Sequence, residues 1–139
     1  IDYNVLDFDA TTQEYAFWNA RLPDNYDGGT VTARFIWTSS AGGAGGTVVW
    51  GIQALAIGND DAIDAAYGTA VEVSDDWIAN GDIHISAATS AITIAGTPQA
   101  GDMLMLRVYR DPADANDDLT GDARLMQVVL EYGINSYTE

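Results

Sequence analysis

The chain has 139 residues, with 21 acidic side chains, 5 basic side chains and no cysteine. Its net charge of −16 argues against nucleic acid or an anionic membrane as partner, and the lack of cysteine excludes disulfides and thiolate metal sites. We expect one domain over residues 1–139, and no apolar run reaches the about 20 residues of a membrane-spanning helix. Because the chain begins with Ile1 rather than Met, we expect it to be a processed or trimmed part of a longer protein.

Alternating apolar and polar residues predict β-strands through the first part of the chain, over residues 5–8, 14–22, 30–38 and 47–57. The third strand alternates most clearly, and its predicted core face consists of Val31, Ala33, Phe35 and Trp37. The glycine-rich segment 39–46 lies between two strands, and the chain contains no lysine. We therefore interpret this segment as a flexible hairpin loop rather than a phosphate-binding loop.

Residues 59–68 form the one predicted helix. Asn59 is suited to the N-cap position, and Asp60 and Asp61 would lie in the first turn, where the helix dipole favours acids. Gly68 follows at the position that a C-terminal glycine prefers. We expect a helix of two turns that covers one end of a sandwich.

Short strands are predicted next at residues 69–73, 82–87 and 91–94, and a hairpin with a long loop at residues 103–132. Eight or nine strands with one short helix predict an all-β fold, a jelly-roll-like antiparallel β-sandwich. The first strand of the hairpin has apolar residues on both faces. We therefore predict that Met103, Met105 and Tyr109 meet a second covering layer or a partner subunit.

The loop of that hairpin is the most acidic segment of the chain. Asp111, Asp114, Asn116 and Asp118 offer closely spaced oxygen ligands of the kind that Ca²⁺ prefers. The segment does not follow the EF-hand pattern. The alternative is a solvated loop in which Asp and Asn side chains accept hydrogen bonds from neighbouring backbone amides. No other cofactor is predicted.

Nothing in the sequence assembles a catalytic site. His84 is the only histidine, and no nucleophile can be assigned to it, so we expect it to make surface or intersubunit hydrogen bonds. Among 21 carboxylates some pair will resemble a glycosidase dyad by chance, which makes such a pair uninformative. We predict that the protein is not an enzyme and name no catalytic residue; a carboxylate-dependent hydrolase is the weakest alternative.

The aromatic residues raise the possibility of glycan binding, because sugars stack on exposed rings. Trp18, Trp37 and Trp50 lie in apolar strands and are predicted to belong to the core. Tyr26 and Trp77 lie in segments rich in Asp and Asn, so we predict that these two side chains are the exposed, ligand-binding aromatics.

Five blocks of sequence together resemble a family of small proteins and C-terminal modules encoded among the virion structural genes of tailed bacteriophages. The blocks are residues 7–15, 22–38, 48–70, 84–102 and 107–125. The resemblance implies a β-sandwich virion component without known catalytic residues. It also draws attention to a charged set that is expected to pair across the hairpin: Arg107, Arg110, Asp111, Asp122 and Arg124.

On this basis we predict a virion structural protein that decorates the capsid or forms part of a head or tail fibre. It would self-associate through apolar strand faces, as a trimer by analogy with fibre and decoration proteins, and contact other virion proteins. The alternative is a glycan-binding module of a fibre tip with a host surface glycan as ligand. Neither nucleic acid nor a membrane is a predicted partner.

Overall fold

The computed structural model describes residues 2–135, and this part of the chain forms eight β-strands and no α-helix. The strands are β1 (Leu6–Phe8), β2 (Tyr15–Arg21), β3 (Tyr26–Ser39), β4 (Thr47–Ile57), β5 (Val71–Asp76), β6 (His84–Ile85), β7 (Met103–Arg110) and β8 (Ala123–Ile134). Among these residues, no helix is long and apolar enough to cross a membrane.

The strands form two four-stranded sheets, ordered β1-β8-β3-β6 and β2-β7-β4-β5, in which all neighbours are antiparallel. Each strand of the first half of the chain therefore lies beside a strand of the second half: β1 beside β8, β2 beside β7, β3 beside β6 and β4 beside β5. This is the strand order of a jelly roll. The predicted all-β, jelly-roll-like antiparallel β-sandwich is confirmed.

The predicted hairpin between the last two strands is wrong. β7 pairs with β2 and β4, whereas β8 pairs with β1 and β3 in the other sheet. The acidic loop between them therefore crosses from one sheet to the other. Local alternation identifies a strand but not its partner, because pairing depends on contacts far away in the sequence.

The core lies between the two sheets and is centred on Trp50 of β4. The Trp50 ring meets Phe35 in a stacked arrangement at 5.6 Å, and meets Phe8 and Trp37 edge-on at 5.4 and 6.2 Å between ring centroids. Val31 is also buried, with the rest of the predicted core face of β3. The prediction of this core face is confirmed.

The predicted helix at residues 59–68 is wrong, because the segment forms turns and irregular structure. Asp61 Oδ2 accepts a hydrogen bond from the Gly58 N–H, and Asp60 adopts a positive φ of 72°. At the other end, the Gly68 N–H donates to the Ala54 carbonyl. An isolated helix of this length is marginal in water. Here the end of the segment bonds to the backbone of β4 instead.

The segment between β6 and β7 covers the edges of both central strands instead of forming a strand at residues 91–94. Its residues make isolated bridges, antiparallel between Val31 and Ile92 and parallel between Leu55 and Ala95. The predicted strand at residues 82–87 is likewise reduced to His84–Ile85. Short pieces of chain thus close the parts of β3 and β4 that β6 and β5 do not reach.

Candidate interaction site

One side of the sandwich is open because β1 is much shorter than β8. The three residues of β1 pair only with the start of β8, from Leu6 opposite Leu125 to Phe8 opposite Ala123. From Met126 to Ile134, this edge of β8 has no strand neighbour among residues 2–135. β2, the edge strand of the other sheet, lies across from it, so two free strand edges flank the same opening.

The register shows which backbone groups of β8 face that opening. On β3, the backbone groups of Val31, Ala33 and Phe35 bond to the segment 86–92 on the side away from β8. In an antiparallel ladder, successive residues direct their backbone groups to opposite sides. The residues between them on β3 therefore bond to β8, and they lie opposite Gln127, Val129 and Glu131. The remaining residues of this stretch direct their backbone N–H and C=O groups to the open edge: Val128, Leu130 and Tyr132.

The opening is a groove of about 310 Å³ between the inner faces of the sheets. Its lining is Trp18, Asn19, Ala20, Leu106, Met126, Gln127, Val128 and Leu130. None of these side chains is charged, although the chain carries 26 charged side chains in 139 residues. The groove is therefore an uncharged, largely apolar face on a strongly acidic protein.

Among the described residues, Trp18 is the one aromatic side chain that lines this groove. It also lines an adjoining pocket of about 220 Å³ with Leu6, Leu125 and Met126 among its neighbours. The Trp18 ring points to the inner side of the sheet, opposite Leu106, yet 37% of the residue is exposed. Its predicted core position is therefore wrong. β1 is too short to cover it, a tertiary feature that the apolar sequence of β2 does not reveal.

The predicted interface residues lie elsewhere, on the outer face of the sheet β2-β7-β4-β5. Met103 and Met105 are half-buried there, and Tyr109 is only 5% exposed. The Tyr109 hydroxyl donates to Glu72 at 2.7 Å, and burial raises the pKa of this hydroxyl well above its usual range. Gly51 makes the fit possible, since a Cβ at that position would meet the Tyr109 ring at 2.1 Å. The chain itself thus covers Tyr109, and Tyr109 is not free to meet a partner.

Arg107 organises the rest of this outer face. Its guanidinium lies 4.9 Å from the centre of the Tyr15 ring and 5.3 Å from that of Tyr67, and its Nε donates to Gln53 at 2.8 Å. The Gln53 amide in turn donates to the Gly68 carbonyl. This arrangement attaches the segment 58–70 to the sheet, and it explains why β7 has apolar and aromatic groups on both faces.

Tyr26 and Trp77 do not form a common site. Tyr26 is 3% exposed, and its hydroxyl donates to the Gly29 carbonyl. Trp77 is half-buried, and its indole N–H donates to Ser39 at 3.0 Å. Tyr26 and Ser39 are the two ends of β3, which at about 3.3 Å per residue lie more than about 30 Å apart. The expected exposure of Tyr26 is wrong, because local Asp and Asn content does not report burial.

The acidic loop uses its carboxylates for hydrogen bonds to the backbone. Asp111 accepts the Ala113 N–H, Asp114 accepts the Asn116 N–H and side-chain amide, and Asp118 accepts the Thr47 N–H. In residues 2–135, no group of three or more histidine and acidic side chains is placed to hold a metal ion. The structure therefore does not bring Asp111, Asp114, Asn116 and Asp118 together as a calcium site.

A buried ion pair that was not predicted from the sequence joins the end of β7 to the same loop. Arg110 and Asp117 are both 1% exposed in their side chains, with 2.6 Å between Nη2 and Oδ1. Arg110 also donates to the carbonyls of Leu119 and Gly121, and Asp117 accepts the Val49 N–H. Of the charges expected to pair across the hairpin, Arg124 instead bonds to Asp7 on β1. The position of Arg110 on the core side of β7, where alternation continues from Val108, was the available signal.

His84 lies inside the sandwich, so its expected surface position is wrong. The imidazole stacks on Trp37 with 4.2 Å between ring centroids, and Nε2 accepts the Ile78 N–H at 2.8 Å. The accepting nitrogen carries no proton, which places the ring proton on Nδ1. Trp37 donates its indole N–H to Asp75 at 2.7 Å, and burial raises the pKa of that carboxyl. These polar groups support the core rather than line the groove.

Comparison with known proteins adds no further assignment. No family model, curated protein or solved structure matches this chain. The resemblance to bacteriophage virion proteins remains a prediction from the sequence blocks.

Proposed function

We propose that this protein is a self-associating structural module of a bacteriophage virion, and that copies meet through the groove between β2 and β8. The observation that carries the proposal is the uncharged groove itself, which leaves inner-face side chains and a strand edge uncovered. Surfaces of this kind mark interaction sites in soluble proteins. On the acidic surface of this chain, it is also a face on which two copies can meet without burying like charges.

The virion setting rests on the five sequence blocks and on the fold. Jelly rolls are common in viral capsid proteins, but lectins and cupins share them, so the fold by itself does not assign a function. Within a virion, the module would decorate the capsid or form part of a head or tail fibre and contact other virion proteins. Light scattering distinguishes the trimer expected by analogy from a dimer.

Light scattering of the purified chain over a range of concentrations tests the proposal. We expect an oligomer for the wild-type protein and a shift to monomer for Ala20→Lys, which places a charge in the groove. The matched control is Ala115→Lys, the same change at an exposed position in the acidic loop. Both variants lower the net negative charge equally, so general electrostatics cannot separate them. A wild-type chain that stays monomeric, or equal effects of both variants, would refute the proposal.

A glycan-binding module is the second candidate, and one observation favours it. Phe17 is 62% exposed on the outer face of β2, beside Tyr15 and Arg107, and its ring lies 6.5 Å from that of Tyr67. Exposed aromatic rings near hydrogen-bonding groups suit stacking against sugars. Binding of host surface polysaccharide that Phe17→Ala abolishes, while Ile63→Ala at an exposed loop position does not, would support this candidate.

A further inference from the structure

We infer that two copies pair around a twofold axis through antiparallel addition of β8 to β8, with Leu130 at the centre. This inference rests on the proposed self-association and specifies its partner, register and symmetry. In this arrangement Leu130 lies opposite Leu130 of the second copy, and Val128 lies opposite Tyr132.

The backbone of the free edge is complementary to itself in this register. The residues whose N–H and C=O groups face the opening are Val128, Leu130 and Tyr132, as the pairing of β3 and β8 requires. An antiparallel pair exchanges hydrogen bonds at every second residue. A twofold axis at Leu130 superposes this set on itself, so all three residues find bonding partners without a shift of the backbone.

The side chains of the same three residues lie on the inner face of the sheet, and those of Val128 and Leu130 line the groove. The three residues lie opposite Phe35, Ala33 and Val31 on the core face of β3, and residues directly opposite in a sheet share a face. Tyr132 is 46% exposed, whereas residues on the inner face of a closed sandwich are buried. The sandwich is therefore open at this position. Pairing of the two edges joins the two grooves into one apolar layer, which covers Val128, Leu130 and Tyr132 of both copies.

Charge does not oppose this register locally. The segment 126–134 contains a single charged residue, Glu131, whose side chain is on the outer face and bonds to Arg34 at 3.2 Å. With Leu130 at the centre, Glu131 lies opposite Val129 of the second copy rather than opposite another acid. Proteins commonly protect free strand edges with lysine or proline, and this segment has neither. An open edge of this kind favours strand addition.

Cysteine cross-linking of the full chain tests the register, because the chain has no cysteine of its own. Opposite residues in a hydrogen-bonded antiparallel pair have Cα atoms about 5.5 Å apart, within the range that a disulfide spans. We therefore expect Leu130→Cys to form a covalent dimer on oxidation. Val128→Cys alone and Tyr132→Cys alone should not form one. In each case the two cysteines of the dimer would lie four residues apart along the strand, at least about 13 Å from each other.

A mixture of the two non-linking variants provides an independent measurement that leaves Leu130 intact. Val128→Cys and Tyr132→Cys chains should form a disulfide with each other after mixing and oxidation. Failure of both the Leu130→Cys and the mixed reaction overturns the inference. Equal cross-linking of Val128→Cys alone also overturns it, because that result indicates another register or random collision.

Mass and salt dependence separate failure of this inference from failure of the proposed function. A trimer by light scattering without the Leu130→Cys disulfide overturns the twofold pairing but leaves self-association in place; a monomer overturns both.

Two copies of net charge −16 repel each other at long range, so added salt should strengthen their association. Weaker self-association at high salt would contradict pairing through this uncharged edge.

Discussion

β4 and β8 are each longer than one of the strands beside them, so part of each has an edge without a partner strand. Other segments of the chain cover that edge at β4 but not at β8. β5 pairs with β4 only as far as Ile52. Beyond that point, the Ala54 carbonyl accepts the N–H groups of Gly68 and Ala95, and the Ala56 N–H donates to Ala95. β8 is likewise longer than its neighbour β1, yet no described segment covers it. Irregular segments thus close a sheet edge as well as a strand does, and the open edge of β8 is a specific exception.

The edge of β3 shows how completely this closure can be made. The Ala33 N–H donates to the Thr89 hydroxyl, and the Phe35 N–H donates to the Ser86 hydroxyl. In return, the Ala33 carbonyl accepts the Thr89 N–H, and the Phe35 carbonyl accepts the Ser86 N–H. Side chains here take the place of a strand that β6 is too short to provide. Substitutions that break contacts in the closed parts of the molecule should therefore lower its stability, whereas substitutions at the open edge should change its association.

The largest expected effect comes from the loop that crosses between the sheets. Arg110→Met removes one partner of a fully buried ion pair and leaves Asp117 charged and buried, which costs about 3–5 kcal/mol of unfolding free energy. Denaturant unfolding measures the loss. The matched control is Arg21→Met, which removes an exposed pair with Asp24 and should cost less than about 1 kcal/mol. Similar losses in the two variants would contradict the buried pair.

Proline substitutions at neighbouring residues of β8 compare its two sides directly. The Val129 N–H faces β3, so Val129→Pro removes a hydrogen bond of the ladder and should destabilise the fold severely. The Leu130 N–H faces the open edge, where proline is tolerated. Leu130→Pro should therefore fold, shown by circular dichroism and thermal unfolding, but remain monomeric in light scattering. If Val129→Pro were the more stable variant, the Val129 N–H would face the open edge and the Leu130 N–H would face β3, contrary to the register described.

A smaller loss is expected at the closed edge of β3. Thr89→Val preserves the shape of the side chain but leaves the buried Ala33 N–H without its acceptor, which costs about 1–3 kcal/mol. Thr120→Val, at an exposed position of the crossing loop, is the control and should change the unfolding free energy by less than about 0.5 kcal/mol. Equal stability of the two variants would mean that water or another group replaces the Thr89 hydroxyl.

The smallest effect concerns pH. Burial raises the pKa of Asp75, so the folded state holds this proton more tightly than the unfolded chain does. The resulting stabilisation is complete below the ordinary pKa of an aspartate and is lost as the pH rises through the raised value. Asp75→Asn keeps an acceptor for the Trp37 indole and carries no charge. Unfolding at pH 7 and pH 4 should show a gain for the variant at pH 7 that shrinks on acidification, and a gain that grows on acidification would contradict the direction of the shift.

The sequence by itself determined most of the strands and one face of the core. Alternation is a local property with a period of two residues, so the core face of β3 and the all-β class could be predicted from it, whereas the strand predicted at residues 91–94 is irregular. The hydrogen bonds of Asp117 and Asp118 to the Val49 and Thr47 amides of β4 are long-range. Those that Asp111 and Asp114 accept from amides two residues away depend only on nearby residues and could also be predicted. Both features follow from interactions over a few positions of the chain.

The tertiary structure alone decided which strands are neighbours and which apolar residues are covered. The pairing of β8 with β1 and β3 rather than β7, the irregular segment at residues 59–68 and the burial of Tyr26 all depend on residues distant in the sequence. Trp18 is the clearest case, since its apolar strand predicts burial and the shortness of β1 prevents it. An open groove is a property of two sheets and their relative lengths, and no single segment of sequence contains that information.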